Sequence, residues 1–323
     1  MRYWRCMKKM SKIEFYGKIY NQEIKERFLN SIDLSRYPIR WWERLFEKTY
    51  IFEHSKQKDF YSFTVPEILE FYKFLDIATI APLVVYNTNA VIYAQWALNE
   101  NLITDGQNHF DVIDVEVLNS CISKGKLNQS ILTYDMFQNL IIRRILNDQD
   151  KFVFFCLFEG IKGKDYQEIV DIKISDINEA ALTINLGKRE MSIPQEFVDV
   201  AHKADQQTVY YTLSDRNIES KLIPSIRIFK EKHNSTGVDI NRTVYNTIVR
   251  NIKALDELSE AVTAKSIRES GLIYYLNERA KILGQSVEYL LNNPSTCQDI
   301  IDKYQFNIAT RKRWVLQYQD FLR

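Results

Sequence analysis

The residues best suited to chemistry lie in the stretch FEGIKGKDYQEIVDI, Phe158–Ile172. Two glycines and two lysines there precede an amphipathic run. A glycine turn that leads into a helix N-terminus favours bound anions, because free backbone N–H groups and the helix dipole both face the negative charge. Three interpretations are open: a phosphate pocket, a catalytic site, or only a turn between two buried helices. A Walker loop is excluded, since Gly163-Lys164 is followed by Asp165 rather than Ser or Thr.

Metal and thiol chemistry is not indicated by the cysteines or the histidines. The four cysteines are far apart, without a CxxC pair, at positions Cys6, Cys121, Cys156 and Cys297. The four histidines are equally scattered, and no HExxH pair occurs. The sequence therefore predicts no metal site, no disulfide framework and no cofactor.

Charge is segregated along the chain, although the formal net charge is only +1. Glu100–Glu116 carries five acids and no Lys or Arg, whereas Arg216–Lys253 holds eight Lys or Arg against three acids, a net charge of +5. Lys303–Arg323 adds five bases and one acid. A nucleic-acid-binding protein needs a basic face rather than a basic total. Charge alone slightly favours the alternative, ordinary solvated helix faces.

The length of 323 residues predicts two domains, and only 9 Gly and 6 Pro favour long helices. We place the domains at residues 1–118 and 119–323, with the acidic, polar stretch Thr104–Asn128 at the boundary. The longest apolar runs are too short to span a bilayer. The basic N-terminus has no apolar core typical of a secretory signal. These features predict a soluble, cytoplasmic protein that does not enter a membrane.

Capping signals predict where the helices of both domains begin. Thr64, with Glu67 three residues later, forms a capping box in the first domain. Asn87 or Thr88 is the predicted cap of the next helix, and Thr133 caps the helix that begins the second domain.

The helix KFVFFCLFEG is expected to be buried, and LTINLGKREMSIP alternates apolar residues around Gly187-Lys188, which is typical of a β-hairpin. The predicted fold is mainly α with a small β-hairpin or sheet.

The order of these elements resembles the tyrosine recombinases, the phage integrase family. A helix, the turn Gly160-Ile161-Lys162, a helix, DIKISDIN and a hairpin with a lysine at its tip resemble their catalytic domain, and the preceding helices resemble their core-binding domain. The resemblance places Lys162 where the family has the arginine that grips the scissile phosphate. Lys188 falls on the hairpin lysine and Arg268 on the second arginine.

Other catalytic positions depart from the family pattern. Lys265 stands where the His-x-x-Arg box has its histidine, Glu269 replaces the usual basic residue, and Asn293 replaces a later histidine. Tyr304 aligns with the nucleophile, 36 residues after Arg268.

Cleavage of a phosphodiester needs two arginines to stabilise the added charge of the transition state. It also needs proton-transfer groups that contribute about 10²–10⁴ in rate. Lysine lacks the planar two-pronged grip of arginine. The residues therefore predict an inactive centre; the alternative is a divergent but active recombinase that uses Tyr304.

DNA binding survives such losses, because neutralising phosphates needs only Lys and Arg. The stretches KDFYSFTVPEILEFYKFL and VIYAQWALNENLI resemble the recombinase-like master repressors of SPbeta-group bacteriophages, the MrpR type. This resemblance implies a repressor that binds operator DNA in the bacterial nucleoid and keeps lytic genes off in a lysogen. Two further partners follow from it as hypotheses, a second copy of the chain and a phage-encoded protein antagonist. A protein-interaction module without a DNA role is the third alternative.

Helices supply base recognition in the major groove, and INRTVYNTIVRNIKAL, Ile240–Leu255, is our candidate, capped by Asn241 or Arg242. An ordinary amphipathic surface helix is its alternative. A weaker candidate in the first domain combines three arginines with Trp41 and Trp42. The residues predicted to contact DNA are Arg36, Arg40, Arg44, Lys162, Lys188, Arg189, Arg242, Tyr245, Asn246, Arg250, Lys265 and Arg268.

The C-terminal segment TRKRWVLQYQDFLR resembles the last helix of recombinases, which docks on a neighbouring protomer. Its apolar residues, among them Trp314 and Tyr318, serve either that docking or a fold-back onto the same chain.

Overall fold

The computed structural model describes residues 17–36, 38–212, 218–233 and 239–323. They form two compact units that divide between Ser123 and Lys124, here called the N-terminal and C-terminal units. The predicted boundary after residue 118 falls slightly earlier, inside a short helix. Cys6 and the basic Arg216 lie outside the described residues. No described helix has the length and apolar character needed to cross a membrane.

The N-terminal unit is helical throughout its regular structure. Its helices are α1 (Gln22–Ser31), α2 (Ile39–Lys56), α3 (Val65–Phe74), α4 (Ile80–Asn99) and α5 (Val115–Ser120). The capping box of α3 is confirmed, since the Glu67 carboxylate accepts the Thr64 N–H at 2.8 Å. The predicted start of a helix at Asn87 or Thr88 is wrong, because α4 already begins at Ile80. Proline is tolerated in a first helical turn, so Pro82 does not delay the helix.

Asn87 has a tertiary role instead of a capping role. Its side chain is buried inside the unit, where its oxygen accepts a hydrogen bond from the Tyr72 hydroxyl at 2.9 Å. Local sequence cannot separate the two roles, because the same amide serves a helix cap and a buried bond equally well.

The core of the N-terminal unit combines aromatic packing with a buried ionic cluster. Phe28 lies against Trp42 at 4.7 Å and Tyr93 at 4.8 Å between ring centroids. Beside them Lys25 donates to Glu53 at 2.7 Å and to Asp59 at 3.2 Å. All three charged side chains are buried, and burial raises the pKa of Glu53 to about 7 against the opposing effect of Lys25. The cluster holds more negative than positive groups, so it depends on its single cation.

The C-terminal unit begins with helices around a buried central one. These elements are α6 (Lys124–Ser130), α7 (Tyr134–Met136), a π-helical turn (Phe137–Ile142), α8 (Asp148–Phe158), α9 (Gln167–Asp171) and α10 (Gln195–Gln206). The predicted cap at Thr133 is confirmed, because its hydroxyl accepts the Met136 N–H. Every residue of Phe152–Phe158 is buried, as expected for a helix that is apolar on all sides.

The predicted hairpin is confirmed within a small antiparallel sheet. Its strands are β1 (Ile177–Asn178), β2 (Thr183–Asn185) and β3 (Glu190–Ser192), hydrogen-bonded in that order. Gly187 turns the chain with φ +76°, a value that suits glycine. A second pair, β4 (Val209–Tyr211) and β5 (Glu219–Lys221), was not predicted.

The remaining helices are α11 (Ile240–Ala254), α12 (Ala264–Leu283), α13 (Val287–Asn292), α14 (Pro294–Tyr304) and α15 (Arg311–Tyr318). The predicted caps of α11 are wrong, because the Asp239 carboxylate accepts the Asn241 N–H at 3.0 Å. Helix α8 packs against both α10 and α12. The contact with α12 needs Gly271, since a Cβ at that position would lie 1.7 Å from the carbonyl oxygen of Phe158.

Helix α15 folds back onto its own chain, which is the second of the two alternatives for this segment. The Trp314 indole N–H donates to Glu269 at 2.6 Å, and Tyr318 is buried. Asn277 of α12 donates to the Phe321 carbonyl at 2.9 Å. Docking of this helix on a second copy stays a hypothesis.

Candidate nucleic-acid interface

The Gly160-Ile161-Lys162 turn closes α8 and packs directly on α14. Gly160 has φ +85°, and a Cβ there would lie 2.7 Å from Tyr304 Cδ1 and 2.8 Å from the Lys303 carbonyl oxygen. Glycine is therefore required both by the backbone conformation and by the close approach of α14. The turn, for which a phosphate pocket was one of three interpretations, thus lies against the end of the helix that carries the tyrosine.

Glu168 is the centre of the hydrogen bonds in this region. Its Oε2 accepts the Lys162 backbone N–H at 3.0 Å, and its Oε1 accepts the Gln305 amide at 2.8 Å. Arg189 adds a two-pronged contact, with Nη2 at 2.8 Å from Oε2 and Nε at 3.2 Å from Oε1. One carboxylate thus joins the turn, the hairpin and the residue after α14.

Arg189 is turned inward, which corrects the prediction that it faces DNA from the hairpin tip. Only 9% of its side chain is exposed. Besides Glu168, its guanidinium donates to the carbonyls of Gly160 at 3.2 Å, Asp302 at 2.5 Å and Lys303. Its donors are used within the chain, so Arg189 fastens the end of α14 to the turn.

Tyr304 is buried at the end of α14, with 2% of its surface exposed. Its hydroxyl donates to the Phe158 carbonyl at 3.2 Å, and burial raises its pKa well above the usual range. The preceding Lys303 is also buried and pairs with Glu159 at 2.6 Å. Attack on a phosphorus atom needs an accessible oxygen, and in this position the Tyr304 hydroxyl is buried and hydrogen-bonded within the chain.

Arg268 lies in the same region on α12 and has unused hydrogen-bonding capacity. Its Nε is buried and has no hydrogen-bond partner among the described residues. Burial lowers its pKa, and the positive charge of Arg189 acts in the same direction. A desolvated guanidinium with an unpaired donor is suited to an anionic partner. Lys265, one turn earlier on α12, is exposed.

The other residues at positions that resemble the recombinase catalytic pattern are either exposed or part of the structural framework. Lys188 is exposed at the hairpin tip, and Lys162 is half-buried with its ammonium 5.2 Å from the centroid of the Tyr166 ring. Asn293, which stands in the histidine place, caps α14 by accepting the Ser295 N–H at 3.1 Å. Asn293 therefore has a structural role.

Helix α11 presents part of the predicted polar face to solvent. Arg242, Asn246 and Tyr245 are exposed, the last by 51%. Arg250 corrects the prediction, because it is half-buried and donates to Asp150 at 3.3 Å and to the Tyr210 hydroxyl. Asp150 also accepts Asn251 at 2.9 Å. These bonds fix α11 to α8 and β4, which makes Arg250 a positioning residue.

The exposed start of α11 lies beside the turn that follows Lys162. Asn241 donates to Gln167 at 2.9 Å, and the rings of Tyr245 and Tyr166 are 6.4 Å apart. The candidate recognition helix and the Gly160-Ile161-Lys162 turn region therefore belong to one surface of the C-terminal unit.

In the N-terminal unit, α2 carries a second basic surface. Arg40 and Arg44 are exposed, as is Arg36 just before the helix. Trp41 is 51% exposed beside them, whereas Trp42 is buried in the core. Exposed arginines on one helix are suited to contact a nucleic-acid backbone, whereas a single exposed tryptophan is common on protein surfaces.

The structure thus brings together the Lys162 turn, Arg189, Arg268 and Tyr304, while Arg250 and Asn293 serve the fold. Sequence analysis missed Glu168, Gln305 and the Glu159–Lys303 pair. Among these residues only Glu168 had a sequence signal, as an acid six residues after Lys162. An acid at that spacing is equally common on a solvated helix face. No group of His, Cys, Asp or Glu among the described residues has the arrangement of a metal site.

Comparison with known proteins agrees with this architecture. A family model described as "MrpR, C-terminal catalytic domain" matches residues 131–322. A second, described as "MrpR, N-terminal core-binding domain", matches residues 19–99. The chain is also similar to the SPbeta prophage-derived uncharacterized protein YopR of Bacillus subtilis (strain 168), with 26% identity over 94% of both chains.

Proposed function

The chain belongs to the MrpR family, and from that premise we propose that it is a sequence-specific DNA-binding repressor of a temperate phage. In this proposal the protein binds operator sites in the bacterial host and blocks lytic genes, and its recombinase-like scaffold does not cut DNA. The two matched domains and the prophage-derived relative support a phage protein of recombinase-like architecture. The repressor role and the loss of catalysis are the proposed steps.

The observation that carries the proposal is the state of Tyr304. Its hydroxyl is buried and bonded to the Phe158 carbonyl, and the backbone next to it is held by Arg189. An active centre would need α14 to leave this position and the Arg189 contacts to break. The lysines at positions 162 and 265 do not restore the missing arginine and histidine chemistry.

The surfaces left for DNA are basic and exposed. In the C-terminal unit they comprise Lys265, Lys188 and the first turns of α11, where Arg242 and Asn246 offer donors for phosphates and base edges. In the N-terminal unit they comprise Arg40 and Arg44 with Trp41. Phosphate contacts of this kind give affinity without a catalytic centre.

An active recombinase is the second candidate, favoured by one observation: Arg268 lies close enough to Tyr304 for its charge to act on the phenol. It predicts a covalent bond between Tyr304 and a DNA phosphate.

A single selection experiment separates the repressor from the recombinase. Host and prophage genome fragments are bound to the purified protein and sequenced, and each complex is treated with SDS. Several recurring sites near promoters, all released by SDS, support the repressor, whereas SDS-stable complexes at one or two sites support the recombinase.

Tyr304→Phe is expected to leave operator affinity unchanged within about twofold. The substitution removes only the hydrogen bond to Phe158, which contributes about 0.5–1.5 kcal/mol to stability. Operator affinity is measured by mobility shift, and the free energy of unfolding by urea denaturation. An SDS-resistant adduct in the wild type that disappears in the variant contradicts the repressor without catalysis.

Replacing Arg40 and Arg44 together with glutamine is expected to weaken binding to all DNA sequences alike. The slope of log K against log salt concentration should fall by about two, one for each lost phosphate contact. The slope is measured by fluorescence anisotropy between low and physiological salt. Lys56→Gln is the matched control, because Lys56 lies on the same helix and pairs with Glu70 at 2.9 Å. An equal change in slope for both variants, or none for either, excludes α2 as a DNA contact.

A further inference from the structure

The donors around Glu168 form an arrangement that recognises oxyanions. The guanidinium of Arg189 supplies two parallel N–H groups, the backbone of Lys162 a third, and the Gln305 amide a fourth. A two-pronged guanidinium with a backbone N–H is a frequent binding mode for phosphate as well as for carboxylate. All four donors meet one carboxylate that the chain supplies itself.

This site opens onto a groove rather than into a closed core. A cavity of about 690 Å³ is lined by Glu168, Gln305, Gly163, Lys164, Gly187 and Lys188, among other residues. The Glu168 side chain is 16% exposed, and the two lysines are exposed at the rim. A phosphate-sized anion that enters the groove would meet the basic residues Lys164, Lys188 and Arg227, and also the carboxylates of Asp171, Asp176 and Glu168.

We propose that Glu168 is an internal anion that occupies a phosphate-binding site of the C-terminal unit and closes it to external phosphate groups. The ligand that Glu168 keeps out of this site is a single phosphate group, either free or in a DNA backbone. The inference rests on the proposed function only where it concerns DNA; the anion site itself follows from the contacts of Glu168.

The occupied site also explains how the end of α14 is held. Arg189 carries a full positive charge, and orienting it toward the carbonyls of Asp302 and Lys303 is favourable when a carboxylate compensates that charge from the other side. Glu168 thus acts as a positioning residue for Arg189. A phosphate in its place would satisfy the same donors.

Glu168→Ala tests the proposal with inorganic phosphate as the probe. We expect the variant to melt at a lower temperature than the wild type in chloride, and added phosphate at matched ionic strength to raise its melting temperature by about 2–4 °C. The wild type should show no such gain, because its site is occupied. The double variant Glu168→Ala/Arg189→Met should lose the gain, since the guanidinium is the main ligand.

Two matched controls separate site binding from general effects of salt. Glu190→Ala removes an exposed acid from the same hairpin and should behave as the wild type. Glu159→Ala removes a buried acid whose cation partner is Lys303 and which does not line the groove. It should be destabilised without a gain from phosphate. An equal gain from phosphate in the wild type and in Glu168→Ala overturns the proposal.

If Glu168→Ala does not fold, Glu168→Gln preserves the shape and frees the charge of Arg189, and the same phosphate titration decides by the same criterion.

A second experiment uses duplex DNA of unrelated sequence. A steeper salt dependence of DNA affinity in the variant, by about one phosphate contact, assigns the site to a DNA phosphate. If inorganic phosphate raises the melting temperature of the variant but the salt dependence of its DNA affinity equals that of the wild type, the result supports the anion site and counts against its use in DNA binding. If the wild type binds no operator site, that result contradicts the proposed function alone and does not bear on the anion site.

Discussion

Replacing Lys25 with methionine is expected to lower the free energy of unfolding of the N-terminal unit by about 3–5 kcal/mol. Methionine fills a similar volume but leaves Glu53 and Asp59 buried without their shared cation. Neither the Thr49 hydroxyl nor the Phe60 N–H, which also donate to Glu53, compensates a full charge. Urea unfolding followed by tryptophan fluorescence measures the loss, since Trp42 and Trp96 lie in this unit.

The loss should depend on pH in a defined direction. Burial already raises the pKa of Glu53 to about 7, and removal of Lys25 takes away an effect that lowers it. Carboxyl groups that are neutral in the folded state favour folding at low pH and lose that contribution as pH rises through their folded pKa. The variant should therefore be less impaired at pH 5 than at pH 8. Lys56→Met, in an exposed pair with Glu70, should change the free energy of unfolding little at either pH. Similar losses for both variants would show that the buried cluster has no special role.

Gly271→Ala is expected to destabilise the C-terminal unit by about 3 kcal/mol or more. The added methyl group would lie 1.7 Å from the Phe158 carbonyl oxygen, and this atom belongs to the backbone of α8. Backbone cannot rotate away as a side chain does, so α12 must move away from α8. Because Tyr304 donates to the same carbonyl, the end of α14 should loosen as well. Thermal unfolding by circular dichroism gives the loss of stability.

Gly125→Ala is the matched control in the same unit. Gly125 lies in α6, is exposed, and has no atom within 4 Å of an added Cβ. Alanine is favoured over glycine inside a helix, so this variant should gain about 0.5–1 kcal/mol. We therefore expect Gly→Ala to lower the stability at position 271, where α12 contacts α8, and to raise it at position 125. A loss of stability at both positions would contradict this explanation.

The sequence by itself determined the class of fold and the order of its elements. Periodic apolar residues predicted the helices, the alternation around Gly187 predicted the hairpin, and the caps at Thr64 and Thr133 were correct. These features depend on neighbours along the chain, and for that reason a single sequence contains them. Sequence order also placed Lys162, Arg268 and Tyr304 in the pattern of a recombinase centre. The departures from the family pattern at residues 162, 265 and 293 were visible from residue types alone.

Only the tertiary structure decided which charged groups remain for a ligand. Arg189 and Arg250 were predicted on exposed surfaces, yet each meets a carboxylate from a distant part of the chain, Glu168 and Asp150 respectively. Lys25 and Lys303 are buried for the same reason. A cation can be taken out of water only when an acid and carbonyl groups replace its hydration. That replacement depends on which segments meet in the folded chain, and neither periodicity nor spacing along the sequence records it.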